Sequence, residues 1–218
     1  MLDFPPSTVF NKWVPKKKFY ENLSISSRIE KQFATEIESV YWTHKLSPET
    51  LNVSPGTRVT EIEVFEVNLK EQQVSNNLIA TIDREIPYHL VFVLRYEGRA
   101  QLMISYKEES KSREDKFKVD SYYRTDWIDY EKLTLRIEGL DLDRIYENFI
   151  SQIAGDALNI EKAEDIRDAV MIAKEIDSLE TYIAKLEKKI QKEKQFNLKV
   201  KFNQELRKAK EKLKDYLE

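Results

Sequence analysis

After Gly155 the chain contains neither glycine nor proline through to Glu218. Within that stretch Ile172, Ile176, Leu179, Ile183, Leu186 and Ile190 recur at alternating spacings of four and three. Residues three and four apart share one face of an α-helix, and a sustained 4-3 alternation is the seam of a coiled coil. The segment from about Asn159 to Glu218 is therefore expected to be a coiled-coil-type helical arm, with those six residues as its partner-binding face. Beyond Ile190 the seam changes phase, running through Phe196, Val200, Leu206, Leu213 and Leu217 and interrupted by Asn197 and Asn203. Two geometries satisfy this pattern: one helix ~80 Å long at ~1.5 Å per residue, or a hairpin folded near residues 192–197.

The arm carries opposite charges end to end. Residues 1–155 hold 21 basic against 25 acidic side chains, residues 156–184 hold three against eight, and residues 185–218 hold twelve against six. The acidic part has the regular seam and is expected to pack. The basic part, out of phase, is expected to contact something negative, with Lys194, Lys199 and Lys201 as candidate phosphate ligands.

What precedes the arm has the length of one ordinary domain. Residues 1–155 are expected to form an α+β globular domain with an extended, basic N-terminal arm, and residues 156–218 the charged helical arm. Pro5, Pro6 and Pro15 keep residues 1–25 extended, and Ser27-Arg28-Ile29-Glu30 has the form of a capping box. Ile29, Phe33, Ile37, Val40 and Tyr41 then follow at helical spacing, so a helix is predicted over 28–46.

A β-rich run over 59–69 reads as a strand whose alternation changes phase between Val64 and Phe65. A bulge there places Glu61, Glu63, Glu66 and Asn68 on one polar face. Val74, Leu78, Ile79 and Ile82 suggest a short helix before Pro87, and Leu90–Leu94 a strand covered on both faces. Glu97-Gly98 turns into an alternating partner strand ending at Lys107. Further strands are expected over 117–123 and 133–137, giving four or five in all, mainly antiparallel. Asp141 or Asp143 caps a helix that ends at Gly155.

Composition removes several chemistries. The chain has no cysteine, hence no disulfide, thiolate zinc site or cysteine nucleophile, as suits a reducing compartment. Only His44 and His89 offer imidazole, and His89, at the start of the central strand without a nucleophile motif, reads as a core or rim histidine. With glycines only at 56, 98, 139 and 155, no phosphate-cradling loop can be written. No apolar run reaches membrane-spanning length and the first residues lack the form of a signal peptide, so a cytoplasmic protein without membrane contact is expected.

Two clusters carry possible chemistry. Glu61, Glu63 and Glu66 on one strand, with Lys107 nearby, resemble the carboxylates and lysine with which nucleases hold Mg²⁺ at a phosphate. Such cores also require an acidic residue followed by Glu-x-Lys on the next strand, and the nearest match, Glu114-Asp115-Lys116, lies in an expected loop. A solvated strand face and a solvated strand-end lysine are the commoner states of these residue types. The second cluster, Lys16, Lys17, Lys18 and Tyr20 with Trp13 and Phe19, combines phosphate neutralisation with aromatic rings suited to base stacking.

Several stretches together, Thr8-Val9-Phe10-Asn11 with Val14-Pro15-Lys16, Thr60 to Phe65, Ile82 to His89, Tyr106-Lys107 and Glu193 to Val200, are similar to a bacterial family known as domain of unknown function four-three-nine-one. The resemblance spans nearly the whole chain and brings no active site with it. It implies genes beside DNA methyltransferases and helicase-type restriction subunits, hence a role in restriction-modification or phage defence. Leu198 stands where the resemblance leads one to expect a basic residue.

Three functions follow as expectations. The leading one is a non-catalytic accessory or DNA-recognition subunit without cofactor, docking a methyltransferase, a helicase-type subunit or a second copy of itself through the arm. The alternatives are a Mg²⁺-dependent nuclease using Glu61, Glu63, Glu66 and Lys107, and a homodimeric scaffold with no nucleic-acid role.

Overall fold

A computed structural model describes residues 2–22, 26–109, 117–158 and 163–217. The fold is α+β: a mixed, mostly antiparallel sheet with flanking helices, followed by two long C-terminal helices. The chain divides into two units, Met1–Gly155 and Asp156–Glu218.

In the first unit the β-branched and aromatic runs form β1 (Val9–Trp13), β2 (Ile37–Leu46), β3 (Ile62–Leu69), β4 (His89–Tyr96), β5 (Arg99–Glu109), β6 (Phe117–Arg124) and the short β7 (Ile128–Asp129). The order is β1-β2-β3-β4-β5-β6, with β7 paired to β5. Among these strands every pairing is antiparallel except β3 with β4. A parallel pair needs a crossover, and α4 (Asn76–Glu85) provides it. The remaining helices of this unit are α1 (Lys16–Asn22), α2 (Ser27–Glu36), α3 (Pro48–Leu51) and α5 (Leu142–Ala154).

One face of the sheet packs Phe65, Val67, Leu69, Leu90, Phe92, Leu94 and Met103 against Phe19 of α1, Phe33 of α2 and Leu78, Ile79 and Ile82 of α4. These side chains are at most a few per cent exposed, and each removes roughly 1.5–3 kcal/mol worth of apolar surface from water. On α5, Ile145, Tyr146, Phe149, Ile150 and Ile153 form its buried stripe. Asp141 is its N-cap, accepting from the Arg144 N–H at 2.9 Å. Asp143 instead reaches back along the chain, where its carboxylate accepts from the backbone N–H groups of Thr57, Arg58 and Val59. Burial opposes its charge, but those three donors and the Arg58 guanidinium hold it below the usual carboxylate range.

Several expectations are corrected. The segment before residue 26 is not simply extended, since β1 and α1 form there. The predicted helix over 28–46 is α2 up to Glu36, capped by Ser26 rather than Ser27, and then β2 without a linker. The sheet has seven strands among the described residues. The run 133–137 is not a strand, although Leu133 and Leu135 are buried.

The second unit contains α6 (Ile166–Lys192) and α7 (Phe196–Leu217). Helix α6 ends at Glu193, whose backbone is extended, and its carboxylate accepts from the N–H groups of Lys194 and Gln195 to hold the bend. The two helices run antiparallel. Tyr182 donates to Glu205, Lys210 pairs with Glu187 at 2.8 Å and Lys212 with Glu175 at 3.2 Å. The arm is thus a hairpin, and the single long helix is discarded.

Candidate functional site

Strand β3 pairs with β4 in unbroken register from Ile62–His89 to Asn68–Arg95, so it has no bulge between Val64 and Phe65. Both residues are buried because β3 is central and covered on both faces. The register shifts lie in β2 instead, at Glu38 and Thr43. Regular alternation puts Glu63 on the face of Phe65 and Glu66 on the opposite one. The single polar face expected for Glu61, Glu63, Glu66 and Asn68 does not exist.

Glu61 and Glu63 do come together. Glu61 pairs with Lys45 at 2.6 Å, while Glu63 is 3% exposed. Burial first, then the charge of Glu61 and the hydrogen bond between the two carboxyl groups, push Glu63 up to about 8. Glu63 is therefore protonated at neutral pH, beside the Glu61–Lys45 ion pair. Glu66 is held elsewhere: Arg95 Nη1 donates to it at 2.7 Å and Tyr130 Oη at 2.9 Å. The Asn68 amide donates to Ser39 Oγ.

Lys107 is not a solvated strand-end lysine. Strand β5 continues past it to Glu109, and its ammonium meets Asp83 Oδ1 at 2.8 Å. It also donates to the carbonyls of Asp83 and Tyr88 at 3.0 and 2.7 Å. Burial lowers the Lys107 pKa while Asp83 opposes the shift. Tyr122 Oη donates to the second Asp83 oxygen at 2.9 Å, and burial followed by the Asp83 charge raises the Tyr122 pKa. Asp83 is therefore the central acceptor of an interior polar knot that ties α4 to β5 and β6.

Sequence reasoning missed Asp83, although one signal was present. It stands one turn after Ile79 and beside Ile82, at the margin of the apolar face of α4. An aspartate in that position needs an interior cation, and Lys107 supplies it.

His89 is 2% exposed, its ring edge-on to Tyr146 with centroids 4.4 Å apart. Burial, then Lys107, depress it to about 3, so it is neutral at physiological pH. Among the described residues no group of three or more His, Asp or Glu side chains is placed to hold a metal ion. Glu114-Asp115-Lys116 lies outside the described residues.

The N-terminal basic cluster is divided by the fold. Lys16 of α1 donates to the Ile37 carbonyl, and burial and then Lys70 lower its pKa. Phe19 is a core residue stacked on Phe33 at 5.2 Å, and Tyr20 sits edge-on to the same ring. The aromatic members other than Trp13, which is 60% exposed, are thus engaged with protein. Lys17 and Lys18 are exposed.

The hairpin bend is the strongly basic surface. Between residues 185 and 201 there are seven lysines and two glutamates. Lys185, Lys188, Lys189, Lys192, Lys194, Lys199 and Lys201 are exposed. Both glutamates are engaged, Glu187 by Lys210 and Glu193 in the bend. A groove of about 690 Å³ runs along this end, lined by Lys185, Lys188, Lys189, Lys192 and Phe202.

The expected seam is seated in this unit as follows. Ile183 and Leu186 are buried, while Ile172, Ile176, Leu179 and Ile190 are half-buried. On α7 the covered apolar positions are Phe202, Leu206, Ala209, Leu213 and Tyr216, again at alternating spacings of four and three. Phe196, Val200 and Leu217, expected to continue the seam, are 78%, 40% and 59% exposed.

No helix of the described residues is long and apolar enough to cross a membrane. Residues 2–213 match the model of a family described as domain of unknown function (DUF4391). No curated protein and no solved structure matches the chain.

Proposed function

The chain belongs to this family of unknown function, and we propose that it is a non-catalytic accessory subunit that holds nucleic acid with the basic end of its helical hairpin. The observation that carries the reading is the concentration of exposed lysines around the bend, where both nearby carboxylates already have partners. Ammonium groups spaced along two helices suit a polyphosphate backbone, which releases condensed counterions as each phosphate is neutralised. Phe196, exposed beside Lys194 and Lys199, offers a ring on which an unpaired base can stack.

The setting in this reading is a cytoplasmic restriction-modification or phage-defence complex, drawn from the gene neighbourhoods that the family resemblance implies. Its methyltransferase or helicase-type subunit is the protein partner. The nuclease alternative draws no support from the geometry, since Lys107 is engaged by Asp83 and Glu66 by Arg95 on another face.

Fluorescence anisotropy with labelled single-stranded and duplex DNA at roughly 50 and 200 mM salt tests the proposal. The wild type should bind with a steep salt dependence. Changing Lys188, Lys192, Lys194, Lys199 and Lys201 to Gln should weaken binding and flatten the salt slope by about one per lost phosphate contact, with the helical signal kept. Binding that is absent at low salt, or unchanged in this variant, rejects the assignment. A host pull-down without a methyltransferase, helicase or nuclease rejects the partner.

A further inference from the structure

On the sheet face opposite α4, the first unit has a solvent-open cavity of about 360 Å³. Two irregularities build it. Tyr41 and Thr43 share a face by plain alternation, and the register shift at Thr43 turns His44 onto the same wall. The shift in β1 between Val9 and Lys12 brings in Asn11 at φ 43°, a left-handed conformation that asparagine tolerates better than most residues. Bulges that re-aim side chains and a non-glycine residue at positive φ are features found around binding sites.

The chemistry of the walls restricts the occupant. Arg95 and Glu66 cancel each other's charge at 2.7 Å, and the Arg95 guanidinium lies over the Tyr130 ring at 3.7 Å. A rigid, neutralised floor of this kind has no net charge to offer an ion. Leu2, Val9 and Val93 make the apolar part of the lining. Among the polar groups of the lining, the Asn11 amide donates and accepts, and the His44 imidazole lines the same pocket. Burial lowers the His44 pKa, which keeps the ring neutral. The volume lies in the range of small-ligand sites, about 300–1,000 Å³, where apolar and aromatic walls carry a few fixed polar groups.

We infer that this cavity binds a small, uncharged, planar heterocycle carrying a hydrogen-bond donor beside an acceptor, the chemistry of a nucleobase. The Tyr41 and Tyr130 rings supply aromatic wall, and Asn11 with His44 reads the polar edge. The base can arrive as a free nucleoside or as an unstacked base of a strand. Neither route requires the hairpin lysines.

Saturation-transfer NMR and calorimetry with adenosine, guanosine, cytidine and uridine test it, alongside a short single-stranded oligonucleotide. At least one nucleoside should bind with a sub-millimolar Kd. Val93→Phe, which fills the cavity, and His44→Phe, which keeps the ring and its packing on Phe4 but removes the nitrogens, should each weaken it about tenfold. The hairpin lysine variant should bind nucleosides like the wild type, which separates this site from phosphate binding. An oligonucleotide that displaces the nucleoside identifies a strand as the source; a nucleoside that is not displaced identifies a free metabolite. No binding of any of the four at about 5 mM, or equal binding by wild type and His44→Phe, overturns the inference.

Discussion

Lys107 and Asp83 form an ion pair of 2.8 Å whose side chains are 1% and 0% exposed. Two charges withdrawn from water this completely stabilise only as a pair, because each alone has lost its hydration. Lys107→Met should therefore cost about 3–5 kcal/mol by stranding Asp83. Adding Asp83→Leu should return most of that loss. Urea unfolding of the single and double variants measures both, and a double variant no better than the single one contradicts the account.

Glu63 gives the fold a stability that depends on pH in an unusual direction. Its folded pKa of about 8 lies above the unfolded value of about 4.3, so the native state binds the extra proton between them. Stability contributed by this group is complete below about pH 4.3 and falls as pH rises towards 8, by up to about 1.4 kcal/mol per unit. Glu63→Gln should gain on the wild type steadily through that window. His89, depressed to about 3, acts oppositely: its contribution is lost as pH falls below about 6.5. Thermal unfolding of wild type and Glu63→Gln from about pH 5 to about pH 8 checks the slope, and parallel curves refute it.

Asp143 fastens the loop before β3 to the first turn of α5 through three backbone donors. Asp143→Ala should destabilise by about 2–3 kcal/mol, since three amides lose a charged acceptor. Hydrogen exchange at Thr57, Arg58 and Val59 should accelerate specifically. Because its pKa is held down, this contribution is present above about pH 4 and lost as pH falls through the depressed value.

In the hairpin, burial rather than periodicity decides which apolar residues matter. Leu186, 1% exposed, should cost about 2–4 kcal/mol when changed to Ala. Phe196→Ser, at a ring 78% exposed, should stay within about 0.5 kcal/mol of the wild type. Thermal unfolding followed by circular dichroism compares them. A large loss from Phe196→Ser would show that its ring is covered by something in solution.

The β4–β5 hairpin was legible because turn chemistry and alternation are local signals, whereas the change of phase after Ile190, without glycine or proline, left a hairpin and one long helix both open. The junction of α2 and β2 was hidden for a physical reason. The bulge at Glu38 turns both Ile37 and Val40 towards the core, and a spacing of three between inward residues imitates a helix. The carboxylates of β3 were misplaced because Val64 and Phe65 look like a change of phase when a strand is assumed to have one wet face. Central strands have none. The Asp83–Lys107 knot joins residues 24 apart through tertiary packing, which no local pattern encodes. The cavity arises from two bulges, and single-residue insertions leave no distinctive residue type behind.

Strand β1 ends the sheet order and pairs on one side only, with β2. Its backbone kinks at Asn11, and Lys12 follows on a strand that is mostly exposed. A foreign strand zippering onto that border would need an even row of amide and carbonyl groups, and the kink interrupts the row within a few residues, while the lysine adds a charge to be desolvated. The same distortion that opens the cavity thus also guards the protein against fibrillar self-association at its border.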